Sequence, residues 1–132
     1  MMLLKTEEYG EANMVDILLA DDDRNFGAVL KNELMGGGYN VDHVFDGVDA
    51  VLNFMAKPYH FVLLDVRMPR LGGVDALRII KKINPKIPVI SFSGNAGKSE
   101  MEETIKCGAM RCLKKPFNLT ELKKYIGETL EY

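Results

Sequence analysis

The chain has 132 residues, with 17 lysines and arginines against 19 aspartates and glutamates and a formal net charge of −2. That length suits one domain with a single core, and the near balance of charge leaves neither a basic footprint for nucleic acid nor an acidic run that predicts disorder. Cys107 and Cys112 are too few and too close for a disulfide framework or a four-ligand zinc site. No apolar run approaches the roughly 20 residues of a membrane-spanning helix. These features predict a protein of the reducing cytoplasm with no direct nucleic-acid binding and no membrane attachment. Met1 to Leu4 is apolar, but Lys5, Glu7, Glu8 and Glu11 follow, so the apolar core of a signal peptide is missing. Residues 1–14 are expected to form a flexible leader and 15–132 the domain.

From Val15 onward, short apolar runs alternate with amphipathic stretches, the pattern of βα units stacked into a parallel sheet. The first unit sets a strand over 16–20 before a helix bearing Phe26, Val29, Leu30 and Leu34 at three- and four-residue spacing. Gly36, Gly37 and Gly38 end that helix, and because no helix opens directly after them they are read as a terminator and not as a phosphate cradle. The second unit joins a strand over 41–45 to a helix with Ala50, Val51, Phe54 and Met55, halted before Pro58. The third has a strand over 61–64 and a helix around Val74, Leu77, Ile80 and Ile83, ended at Asn84 and Pro85. In the fourth, a strand over 88–92 precedes a helix over 98–106 with few apolar residues, which predicts the least firmly packed helix. A strand over 110–114 and an amphipathic helix with Leu119, Leu122, Ile126 and Leu130 complete the series.

Four of the apolar runs end in reactive side chains: Asp21, Asp22 and Asp23 after the first, Asp65 after the third, Ser93 after the fourth and Lys115 after the last. The carboxyl ends of parallel strands converge on one crevice, so these groups are expected to share a pocket suited to a metal ion and a phosphoryl group. Like charges about 4 Å apart repel by roughly 4 kcal/mol at an effective dielectric near 20, so clustered acids need a cation. Lys115, at the end of what reads as a buried strand, supplies one charge. An oxygen-only donor set favours magnesium for the rest. Asp23 is assigned instead to capping the following helix. The small Gly94 beside Ser93 is expected to leave room for a phosphoryl group, and the Lys115–Pro116 bond is a candidate for the cis form. His43 and His60 have no companion at ligand spacing and are read as structural.

With these motifs in this order, from about Val15 to Tyr132, the chain resembles the receiver domain of bacterial two-component response regulators. The resemblance implies a flavodoxin-like, doubly wound α/β fold: a five-stranded parallel sheet in order 2-1-3-4-5 with five helices. It implies that Asp65 is the phosphoacceptor, that Asp21, Asp22 and Asp65 hold Mg2+ with the backbone carbonyl of Arg67, and that Ser93 and Lys115 are the switch hydroxyl and the lysine of the lysine-proline motif. Met68, Pro69 and Gly73 match the loop after the acceptor, while Arg67 and Asn95 flank the path of an attacking water. The implied function is a signalling switch rather than an enzyme, one that assists its own phosphorylation and dephosphorylation. A sensor histidine kinase or phosphotransfer protein supplies the phosphoryl group, an output protein or domain reads the surface of the fourth helix, fifth strand and fifth helix, and the receiver is a monomer or a phosphorylation-dependent dimer. Cys112 departs from the pattern: it stands where these domains usually carry an aromatic switch residue. It is expected to be a small core residue, leaving the signal to the loop after Ser93 and the weakly packed helix.

Two other classes stay in view. The spacing Asp21-x-Asp23 after a first strand resembles haloacid-dehalogenase-like phosphatases, although Asn25 stands where that family usually has threonine or valine. A flavin-binding flavodoxin is the third reading, but the first βα turn lacks a hydroxyl-rich phosphate loop.

Overall fold

The computed structural model describes residues 14–94 and 97–130. Apart from Met14, the expected leader lies outside them, as does Asn95. Five strands alternate with five helices: β1 (Val15–Ala20), α1 (Arg24–Gly36), β2 (Tyr39–Val44), α2 (Gly47–Ala56), β3 (Phe61–Asp65), α3 (Gly73–Ile83), β4 (Val89–Ser93), α4 (Lys98–Lys106), β5 (Arg111–Lys114) and α5 (Leu119–Leu130). All neighbouring strands run parallel, in the order β2-β1-β3-β4-β5. Element ends differ from the expected ones by two residues at most where both are defined, and β4 extends to include Ser93.

The central strands are apolar at nearly every position because helices cover both faces of the sheet. Alternation then divides their side chains between two cores. Ile17, Leu19, Phe61, Leu63, Ile90 and Phe92 pack with Leu30 and Leu34 of α1 and with Leu122, Ile126 and Leu130 of α5. Leu18, Ala20, Val62, Leu64 and Val89 face Ala50 and Phe54 of α2 and Ala76, Leu77 and Ile80 of α3. Local chemistry sets the helix ends. Asp23 and Asp46 accept the backbone N–H groups of Phe26 (3.0 Å) and Asp49 (2.8 Å), capping α1 and α2. The glycine triplet terminates α1, with the N–H groups of Gly37 and Gly38 bonded to the carbonyls of Leu34 and Met35 and Gly38 at φ +96°.

Two expectations need correction at β5. This strand is the edge of the sheet, and its residues run exposed, half-buried, half-buried, exposed. Lys115 therefore follows an edge strand and not a buried one, and Cys112 is half-buried and belongs to neither core. The cause is topological, because an edge strand has a sheet neighbour on one side only.

Helix α4 matches its thin apolar pattern. Thr104 is its only buried residue, and polar contacts hold the helix. The Thr104 hydroxyl lies 2.8 Å from that of Ser91 on β4, both fully buried, and Arg78 of α3 pairs with Glu103 at 2.8 Å.

Candidate functional site

The strand ladders continue one residue past the sheet and so fix the backbone of the site. The N–H of Asp21 donates to the Val44 carbonyl at 3.0 Å, that of Val66 to Phe92 at 2.9 Å, and that of Lys115 to Ser93 at 2.8 Å. Asp21 and Asp22 thus leave β1 beside Asp65 on β3, at the point where the strand order reverses. A cleft of about 260 Å³ opens there, lined by Asp22, Asp65, Arg67, Ser93 and Lys115 among others.

Lys115 ties the cleft together. Its Nζ donates to Asp21 Oδ2 at 3.0 Å and to Asp65 Oδ2 at 3.2 Å. The ammonium lies 4.5 Å from the ring centre of Phe26 and 5.2 Å from that of Phe92, so aromatic faces support it from behind. The Lys115–Pro116 bond is cis. Burial works against the charge of Lys115, but the bond to Asp21 and the attraction of Asp65 and Asp21 outweigh it, and its pKa lies above the usual lysine range.

Asp65 is pushed the other way. Burial, then the adjacent Asp21 side chain, raises its carboxyl from 3.8 to about 7, against the pull of the Arg67 N–H and of Lys115. That N–H donates to Asp65 Oδ1 at 3.0 Å. Asp21 is fully buried, and its Oδ1 accepts the N–H of Asp23 at 2.9 Å. Asp21, Asp22 and Asp65 each offer an oxygen, and these atoms lie within 4.8 Å of one another. Three carboxylates against one ammonium, with oxygen donors only, form a set that fits a hard divalent cation.

The residues expected at the site therefore meet, and Asp23 caps α1 as anticipated. A Cβ at Gly94 would meet Lys115 at ordinary contact distances of 3.8 and 4.0 Å, so packing within the cleft does not by itself require glycine there. Two residues were missed in their site roles. His43 Nε2–H donates to the Asp21 carbonyl at 2.9 Å, and a Cβ at Gly27 would lie 2.1 Å from the His43 ring, so that glycine makes the histidine's place. Glu100 of α4 forms an ion pair with the Arg67 guanidinium. No spacing rule signals either contact.

An open parallel sheet with an acid-and-lysine crevice at its switch point defines a flavodoxin-like domain. A family model described as the response regulator receiver domain matches residues 17–127, and the chain belongs to that family. It is 34% identical over 118 residues to the transcriptional regulatory protein ZraR of Salmonella typhimurium, covering 89% of this chain and 27% of ZraR. It is 33% identical over 114 residues to the sensor protein EvgS of Escherichia coli, covering 86% of this chain and 10% of EvgS. The chain thus spans a small part of either relative. Among solved structures, a CheY-like response regulator receiver domain from Methanospirillum hungatei superposes with a TM-score of 0.85 at 25% identity, covering 89% of this chain and 94% of the other. Among the described residues, no helix is long and apolar enough to cross a membrane.

Proposed function

We propose that Asp65 accepts a phosphoryl group from a phosphohistidine on a sensor kinase or phosphotransfer protein, and that residues 15–132 act as the receiver domain of a cytoplasmic signalling pathway. The observation that carries this reading is the Lys115 ammonium bridging Asp21 and Asp65 in a cleft that Ser93 also lines. An Asp65 carboxylate oxygen forms the new bond to phosphorus as the P–N bond breaks; the leaving imidazole keeps that electron pair and takes up a proton. Lys115 neutralises charge on the transferred group, and the Ser93 hydroxyl donates to one of its oxygens. Asp21, Asp22, Asp65 and the Arg67 carbonyl would hold Mg2+, which when bound offsets the charge of both the carboxylates and the phosphoryl group.

The output is a population shift of the α4, β5 and α5 surface. The single buried residue of α4 and the small side chain of Cys112 support a signal carried by the loop after Ser93 and by α4. That surface would engage an output protein or domain, as a monomer or a phosphorylation-dependent dimer. The phosphatase reading is weaker, because its nucleophile, Asp21, is fully buried and its acid, Asp23, caps a helix.

Incubation with acetyl phosphate and magnesium is expected to add one phosphoryl group by intact mass, with none added when magnesium is chelated. Catalytic turnover of a small phosphoester without a labelled protein would favour the phosphatase instead. Asp22→Asn removes a ligand and a charge, and magnesium affinity is expected to fall about tenfold, the equivalent of about 1.4 kcal/mol. Superimposable calorimetric titrations of variant and wild type would mean that Asp22 holds no ion.

A further inference from the structure

Arg67 joins the acceptor to α4 within one residue. Its backbone N–H is bonded to Asp65 Oδ1, the residue lines the cleft, and its guanidinium is paired with Glu100 in the first turn of α4. Among the described residues, no other side-chain hydrogen bond or ion pair joins that turn to another element. The N-cap, Gly97, makes no side-chain cap, and the buried residue Thr104 and the Arg78–Glu103 pair both lie in the second half of the helix. The ion pair at the rim of the cleft therefore ties the N-terminal end of α4 to the loop after Asp65.

We propose that this pair is an exchange latch: a phosphoryl group on Asp65 draws the Arg67 guanidinium away from Glu100, and the exchange frees the first turn of α4. The inference rests on the phosphoacceptor reading of Asp65. A carboxylate offers Arg67 one negative charge, whereas a phosphoryl group brings about −1.5 to −2 and three acceptor oxygens, which a guanidinium fork matches with two parallel bonds. The side chain of Arg67 is 57% exposed, so its rotation disturbs no core. Glu100 is thus a positioning residue: it acts through Arg67, holding back a group that would otherwise stabilise the phosphoryl state. Resting position of the helix and affinity for the phosphoryl group become two readings of one equilibrium.

The test compares wild type, Glu100→Gln, Arg67→Ala and the double variant, titrated with beryllofluoride in the presence of magnesium, with amide spectra recorded before and after. Glu100→Gln is expected to bind beryllofluoride about fivefold more tightly. Before any addition, its amide signals over 98–106 should already lie part of the way toward the bound wild-type positions. Arg67→Ala should bind more weakly, and the double variant should match Arg67→Ala, because Glu100 has no effect without Arg67. General loosening of α4 would not produce tighter binding that depends on Arg67. An unchanged affinity for Glu100→Gln, or tightening that persists in the double variant, overturns the latch while leaving the acceptor assignment intact. Failure of the wild type to bind beryllofluoride and to be labelled by acetyl phosphate overturns the assignment, and the latch with it.

Discussion

Asp65→Asn is expected to take up no phosphoryl group and, in the absence of metal, to be more stable than the wild type at pH 8. Loss of labelling follows from removing the nucleophilic oxygen, and mass spectrometry after acetyl phosphate treatment reads it directly. The gain in stability follows from charge crowding. Burial beside Asp21 raises the folded-state pKa of Asp65 from 3.8 to about 7, so the folded protein favours the protonated carboxyl. Stability associated with this group is fully present below the ordinary carboxylate range and is lost as pH rises through about 7. Asparagine carries no charge to lose. The full displacement corresponds to about 4 kcal/mol, and solvent screening at the open cleft reduces the expected gain to about 1–2 kcal/mol. The gap should narrow as pH falls toward 4, and magnesium should narrow or reverse it by stabilising the wild type more than the variant, which has lost one carboxylate ligand. Equal melting temperatures at pH 8 without metal would show that the acidic cluster carries no strain.

Gly73→Ala is expected to unsettle both the fold and the site. A Cβ at this position would lie 2.2 Å from the Asp65 carbonyl oxygen and 2.7 Å from Val66 Cα. Both are backbone atoms and cannot rotate away. The Gly73 N–H donates to the Val66 carbonyl at 2.8 Å, closing the loop that follows Asp65. Relief of the clash has to move α3 or the end of β3, at a cost of about 3 kcal/mol. Either movement shifts Asp65 relative to Lys115, and misplacement of this kind slows transfer by roughly a hundredfold. Gly36→Ala is the matched control, because a Cβ there meets nothing within 4 Å. Urea unfolding and labelling rates together decide the matter: similar losses in the two variants would mean that the close approach at Gly73 is not what confines it to glycine.

The site was legible in the sequence to the extent that strand ends dictate it. Asp21, Asp22, Asp65, Ser93 and Lys115 each follow or end an apolar run, and the parallel sheet brings such ends together without further information. Asp23 was legible for a local reason, since a cap needs only the next three residues. Contacts across space left no periodic trace. Arg67 and Glu100 are 33 positions apart, and Asp21 and His43 are 22; neither pair obeys a helix or strand spacing. The aromatic support of Lys115 escaped for the same reason: Phe26 of α1 and Phe92 of β4 face the ammonium, and with Phe117 from the segment between β5 and α5 their ring centres lie 5.5 to 6.1 Å apart. At β5, hydrophobic content suggested burial, but edge position in the sheet decides exposure.

The hydroxyl pair of Ser91 and Thr104, with the arginine pairs beside it, gives α4 a particular thermodynamic character. A helix attached through polar pins can change place without bringing much oil-like surface into contact with water. A relocation of this kind would carry little change in heat capacity, so its enthalpy and entropy would stay nearly constant with temperature. Dissolved ions act directly on its exposed pins. A receiver that signalled by moving such a helix would feel a change in salinity.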